Sequence, residues 1–257
     1  MIIPELYGGL GNNLFQIAAA YALAREVNTP LAINYERHST PCFFHPIRYK
    51  DNLFKKINST TATFKNVYYE PNFTYDKIPY QNNVILNGYF QSLKYFEKYK
   101  EEVKKLFTFP DSVKYDILQK IENVEGEFII NHIRRGDYKN NKTYSNISKD
   151  YYKQAHDFIE SKEQKKLKNI FVTDDKDQVR TEFGNNNIII ETKNEIEDMF
   201  ILTLGNYFVG CNSTFSWWGS FFGKHKLKVF PKKWFHKGGE TLKSKDIYRV
   251  KINMSSI

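Results

Sequence analysis

The chain has 257 residues, 41% of them hydrophobic and 26% charged, which is enough for one large or two small packed domains and excludes wholesale disorder. Its formal net charge is +9, with the excess lysine and arginine spread in short groups such as Lys104-Lys105, Lys165-Lys166 and Lys232-Lys233. That pattern suits an anionic ligand or peripheral contact with a membrane surface, and the lack of zinc-finger spacing, a basic helix or an RNP-like strand argues against nucleic acid.

Two cysteines, Cys42 and Cys211, are too few for a disulfide framework or a metal knuckle, so a reducing compartment is expected. The start, Met1-Ile-Ile-Pro-Glu5, lacks the basic and apolar stretches of a secretion signal, and no run reaches the length of a membrane span. A soluble, cytoplasmic protein is the expectation. The 18 tyrosines and 21 phenylalanines suit sugar or base surfaces as well as core packing.

In chain order, Ile2-Ile3 predicts a short strand, Gly8-Gly9-Leu10-Gly11 a tight turn, and the apolar spacing over 12–27 a helix with Asn12 as its cap. A strand at 31–34 follows. The stretch 35–83, punctuated by Pro41, Pro46, Pro71 and Pro79, reads as loop-rich and suited to shaping an acceptor surface. Order returns with a strand at 84–88, a charged amphipathic helix over 92–107 and another near 112–121. The lobe division is set at Glu125-Gly126, giving an N-terminal lobe of 1–125 and a C-terminal lobe of 126–257.

From Glu127 the alternation is regular, with strands at 127–133, 169–173, 187–191, 207–211 and 227–230 and helices near 150–161, 176–183, 195–204 and 214–223. This βαβ rhythm predicts an α/β fold with a doubly wound parallel sheet in the C-terminal lobe. Three polar motifs close three of those strands: His132-Ile-Arg-Arg-Gly-Asp137, Thr173-Asp-Asp175 and Asn212-Ser-Thr-Phe-Ser216. In such a sheet they share one rim, the edge at which ligands bind.

Each motif has a chemistry to match. Arg134 and Arg135 carry planar guanidiniums that pair bidentately with phosphate. Asn212, Ser213, Thr214, Phe215 and Ser216 lead into Trp217-Trp218, placing hydroxyls and backbone N–H groups at a helix N-terminus, a ready phosphate site, with the tryptophans packing in the core. Asp174 and Asp175 can accept from a ribose hydroxyl or from the N1 and N2 donors of guanine. No histidine or third carboxylate lies near them in sequence, so no metal is expected. The turn at Gly9, Gly11 and Asn12 either admits a ligand to the backbone or is simply tight; it lacks the third glycine of a dinucleotide fingerprint and the lysine of a P-loop.

Together these segments resemble glycosyltransferase family 11, the α-1,2-fucosyltransferases. The likeness rests on Gly8-Gly-Leu-Gly-Asn-Asn-Leu-Phe-Gln16, Gly88-Tyr-Phe-Gln-Ser92, His132-Ile-Arg-Arg-Gly-Asp-Tyr138, Val172-Thr-Asp-Asp175 and Asn212-Ser-Thr-Phe-Ser-Trp-Trp-Gly219, which span nearly the whole chain in the family order. Departures are small: Asn13 stands where glutamine is more usual, and Thr214 replaces a frequent serine.

The resemblance implies a GT-B-like fold of two Rossmann-like lobes, with GDP-fucose held by the C-terminal lobe and a galactose-terminated glycan acceptor against the N-terminal lobe. Transfer to the 2-hydroxyl would invert the anomeric centre, with no cofactor or metal. Donor contacts then fall to Arg134, Arg135, Asp174, Asp175, Asn212 to Ser216 and the Gly9, Gly11, Asn12 turn. Asp137 and His132 are the candidates for the base, or for orienting the arginines. The alternatives are the same fold with another nucleotide sugar or acceptor, and an inactive GDP-sugar or glycan-binding module.

Overall fold

Strands covered on both faces read as near-continuous apolar runs, and the runs predicted above become short parallel strands. The computed structural model describes residues 1–42, 45–136, 147–184 and 187–232, without the side chains of 38–42. Contacts divide the chain into two units between Pro110 and Asp111, so the helix Asp111–Ile121 groups with the second unit, whereas composition sets the lobe division at 125/126.

The first unit comprises β1 (Ile2–Pro4), β2 (Leu6–Gly8), α1 (Leu10–Glu26), β3 (Ala32–Ile33), β4 (His38–Cys42), β5 (Asn58–Ser59), β6 (Val67–Tyr69), β7 (Val84–Asn87) and α2 (Lys100–Leu106). Strands β6, β7 and β1 lie side by side in parallel, and β2 pairs with β4 and β3 with β5 in the same sense. Helix α1 is alanine-rich and buried on nearly every side, as expected of a helix without a polar face, and Ala19, Ala20 and Leu23 pack on Ile2, Val84 and Leu86.

Two local expectations change. The segment 35–83 is not wholly loop, because β6 joins the sheet edge beside β7. The predicted helix over 92–107 is α-helical only from Lys100; before it stand two 3-10 turns, Leu93–Tyr95 and Glu97–Tyr99, broken by Phe96 at φ −137°.

The second unit continues with α3 (Asp111–Ile121), β8 (Phe128–Ile133), α4 (Lys149–Glu163), β9 (Lys168–Thr173), α5 (Lys176–Phe183), β10 (Ile188–Ile189), α6 (Glu195–Ile201), β11 (Tyr207–Val209), α7 (Thr214–Phe222) and β12 (Leu227–Val229). Its five strands are all parallel in the order β10-β9-β8-β11-β12. The chain therefore winds outward from β8 in one direction, then returns to build on its other side. The reversal between β8 and β11 is the topological switch point, where the strand ends leave a crevice. Ile129, Ile133, Tyr152, Phe171, Val209 and Val229 form the core beneath it.

One polar network sits inside this sheet. Asn131, wholly buried in β8, donates to Asn169 Oδ1 at 3.0 Å and meets His156 Nε2 at 2.7 Å. Satisfying both partners fixes the β8–β9 register, since a slip of one residue would leave the amide unpaired in the core. Among the described residues, no helix is long and apolar enough to cross a membrane.

Candidate active site

In parallel βαβ units each helix starts at the rim where the preceding strand ends, so the exits of β8, β9 and β11 and the N-termini of α5, α6 and α7 share one edge. At the β8 exit the two adjacent arginines part company. Arg135 is 3% exposed. Its Nε and Nη2 donate to the two carboxylate oxygens of Glu182 at 3.2 and 2.7 Å, and its Nη1 donates to Ile147 O at 2.9 Å. Arg134 stays at the crevice surface, its side chain 27% exposed and its Nε 3.6 Å from Asp174 Oδ2.

Asp174 holds both residues, because its Oδ1 also accepts from the Arg135 backbone N–H at 2.8 Å. Gly136 follows from the same contact. A Cβ there would stand 2.9 Å from Asp174 Oδ2, so a side chain would push the clamp apart. Asp175 caps α5 through Gln178 N at 3.0 Å, and Asp175 N donates to Thr173 Oγ1 at 3.1 Å. Asp137 lies outside the described residues.

The β11 exit is built to match. Ser216, with no exposure, accepts from Cys211 N at 3.0 Å, tying the first turn of α7 to the strand end. Ser213 is the N-cap residue of α7, with its own N–H donating to Cys211 O at 2.8 Å; its side chain makes no capping bond. Asn212 and Ser213 are buried, while Thr214 and Phe215 are partly exposed. Trp217 and Trp218 are 3% and 0% exposed, in the core as their sequence suggests.

His132 joins the two exits. Its Nδ1 lies 3.3 Å from Cys211 Sγ, and its ring centroid is 5.4 Å from that of Phe215. Thus His132, Arg134, Arg135, Asp174, Asp175 and Asn212 to Ser216 converge on one rim. An anion in the crevice would meet the Arg134 guanidinium and the N-terminus of α7, whose first-turn N–H groups have no partner within the helix.

Gly9, Gly11 and Asn12 belong to the first unit, at the β2–α1 turn. The cap position corrects the sequence expectation: Gly9, not Asn12, precedes the helix, and its carbonyl accepts from the N–H groups of Asn12 at 3.0 Å and Asn13 at 3.1 Å. The turn needs glycine at Gly8, where φ is +78° and a Cβ would fall 2.4 Å from Asn12 Nδ2. Asn12 instead uses its side chain as an acceptor from Gln91 Nε2 at 2.9 Å.

Burial, with the Arg134 charge adding, pushes the His132 pKa down to about 3, so its imidazole is neutral at physiological pH. The Cys211 thiol is pushed up to about 12 by burial. Sequence reasoning missed Glu182, which nothing local in the sequence links to Arg135. It also missed Asp198, in the first turn of α6 on the same rim, whose carboxyl burial pushes up to about 6. An acid in a helix's first turn reads as an ordinary match to the helix dipole, which hid it.

These shifts predict a pH dependence of stability. His132, His156 and His225 have folded pKa values of about 3, 4 and 4 against 6.5 unfolded, so below pH 6.5 the unfolded chain binds protons that the folded chain refuses. Stability is full above pH 6.5 and falls as pH drops toward 4, by at most about 1.4 kcal/mol per unit for each group, less for the partly exposed His156 and His225. Asp198, between its unfolded 3.8 and about 6, and Glu70, whose carboxyl burial also raises, act oppositely but are two groups against three. Melting temperature measured from pH 7.5 to 4.5 should decline steadily below 6.5.

The motif order, the switch-point rim and the paired arginines agree with one comparison. The family model described as glycosyl transferase family 11 matches residues 4–254. The chain belongs to this family. Among curated relatives, this family 11 transferase is 25% identical over 274 residues to an α-1,2-colitosyltransferase of Escherichia coli, covering 92% of this chain and 93% of that protein. It is 29% identical over 144 residues to galactoside α-(1,2)-fucosyltransferase 2 of Oryctolagus cuniculus, covering 51% and 38%. Its fold matches the crystal structure of fucosyltransferase NodZ from Bradyrhizobium at TM-score 0.58 and 12% identity, over 86% of this chain and 93% of that one. That likeness is one of fold, and the fold is α/β and GT-B-like.

Proposed function

We propose that this transferase moves fucose from GDP-fucose to the 2-hydroxyl of a terminal galactose, inverting the anomeric carbon to an α-1,2 linkage. The observation that carries the reading is the β8–β11 crevice, where Arg134, its Nε 3.6 Å from Asp174 Oδ2, and the N-terminus of α7 stand at the exits of two neighbouring parallel strands. As the acceptor oxygen attacks C1 and the C1–O bond to GDP breaks, negative charge grows on the β-phosphate. The Arg134 guanidinium and the α7 N–H groups are placed to stabilise that charge, which is the larger part of the work in such a displacement. The reading requires no metal, because these groups supply the positive charge.

The remaining residues take supporting roles. Arg135, paired with Glu182, is a positioning residue that fixes the backbone from which Arg134 projects. His132, neutral and buried, suits orientation of the β8 exit better than proton removal, which leaves Asp137 as the candidate base. Asp174 and Asp175, both engaged with backbone N–H groups at the β9 exit, remain the carboxylates assigned to the ribose hydroxyl or the guanine edge. The first unit is assigned the acceptor, and a cytoplasmic location with peripheral membrane contact fits the net charge of +9.

The likeness to a colitosyltransferase supports a second reading, in which the donor carries colitose instead of fucose. Incubation with GDP-fucose and a panel of galactosides in EDTA, with product linkage read by NMR, separates them. The expected result is GDP and an α-1,2-fucosylated galactoside. Consumption of another sugar nucleotide while GDP-fucose stays intact contradicts the donor assignment, and GDP binding without turnover of any acceptor indicates an inactive binding module.

A further inference from the structure

The motif Gly88-Tyr-Phe-Gln-Ser92 has no chemistry assigned above. Strands β1 and β7 run parallel, with Pro4 beside Leu86, so the chain segments that follow them leave the first unit's sheet at the same C-terminal rim. One exit carries Tyr7 and the other Tyr89. Their rings lie 4.8 Å apart at 67°, and Phe73 stacks on Tyr89 at 5.9 Å and 21°.

Both exits are held by polar side chains, buried at the first and partly buried at the second. Tyr7 N donates to Gln16 Oε1 at 3.3 Å, and Asn13 Nδ2 donates to Tyr7 O at 3.1 Å, the two amides having no exposure at all. Glu70 Oε2 accepts from Tyr89 N at 2.7 Å and Phe90 N at 2.9 Å. Gly88 is required there, since a Cβ would stand 2.3 Å from that of Glu70, and Phe90 follows in the left-handed region at φ +48°. A strained non-glycine residue fixed by a partly buried carboxylate is a costly way to end a strand, and such strain gathers at ligand sites.

The aromatic pair itself is not core. Both rings are only partly buried, and among the described residues neither hydroxyl has a hydrogen-bond partner. Tyrosines buried for packing alone usually satisfy the hydroxyl within the protein. A pyranose offers the complement: an apolar face of C–H groups for the ring, and hydroxyls for the phenols.

We propose that Tyr7 and Tyr89 form the wall on which the acceptor's terminal pyranose stacks, and that Glu70 and the Asn13–Gln16 pair set its position. Naming that sugar as galactose rests on the functional reading above. The wall selects the acceptor and orients the hydroxyl that attacks.

Steady-state kinetics of Tyr7→Ala, Tyr89→Ala and Tyr89→Phe test it. Both alanine variants should raise the acceptor KM about tenfold or more while the donor KM stays within about twofold, and Tyr89→Phe should stay within about threefold of the parent. An acceptor KM unchanged in both alanine variants, or a donor KM rising in step, overturns the proposal. Saturation-transfer NMR of a β-galactoside with GDP present reads the wall without turnover: the parent should saturate the sugar's C–H protons, and Tyr89→Ala should lose most of that signal. Equal signals from the two overturn it as well. If the parent uses a different acceptor sugar, the galactoside reading fails, and the same KM ratios on that sugar still decide the wall.

Discussion

Arg134→Ala lowers kcat about 10²–10³-fold, the effect of removing one preorganised donor from a site of developing negative charge. The acceptor KM should change little, because the guanidinium is assigned to the leaving phosphate and not to the sugar that attacks. Arg134→Lys should recover only part of the loss, since an ammonium keeps the charge but not the planar fork. Rapid-quench single-turnover rates are the proper readout, as they separate the chemical step from product release. A single-turnover rate equal to the parent's would remove Arg134 from the phosphate site.

Arg135→Ala, one residue along, is expected to fail in another way. Arg135 is 3% exposed and bidentate to Glu182, so truncation leaves the Glu182 carboxylate with only the Gln178 amide and the Ile147 carbonyl without this donor. Breaking a buried pair by deleting one partner costs about 3–5 kcal/mol, and the lower end applies because the Glu182 side chain is 23% exposed. For a chain of this size that is a melting temperature lower by about 6–12 °C. Glu182→Gln keeps the shape and one acceptor and should lose less. Scanning calorimetry distinguishes the pair: Arg134→Ala melts near the parent, Arg135→Ala well below it. The reverse order would exchange the roles given to the two arginines.

That difference also marks the limit of what the chain of letters conveys. Strand-and-helix alternation from 127 onward is legible because each strand is a short apolar run and the helices α4, α5 and α6 each carry a side-chain cap, so local signals and the parallel sheet agree. The shared rim follows from that alternation alone. Two adjacent arginines, however, look identical until the fold brings Glu182 from α5 beneath one of them. Nor does the sequence show that His132 is buried with its Nδ1 against the Cys211 thiol. Proline-punctuated sequence around 67–69 conceals an edge strand because β6 pairs on one side only and shows no strong apolar run. The Asn12 cap fails for a local reason: the left-handed Gly8 starts the helix early enough for Gly9 to take the place.

A crystal structure with GDP bound tests the central claim most directly. The diphosphate is expected in the β8–β11 crevice, its β-phosphate oxygens within hydrogen-bonding reach of the Arg134 guanidinium and the first-turn N–H groups of α7, with Arg135 still on Glu182. GDP seated at another edge of the second unit, or a β-phosphate held by Arg135 after release of Glu182, would contradict it.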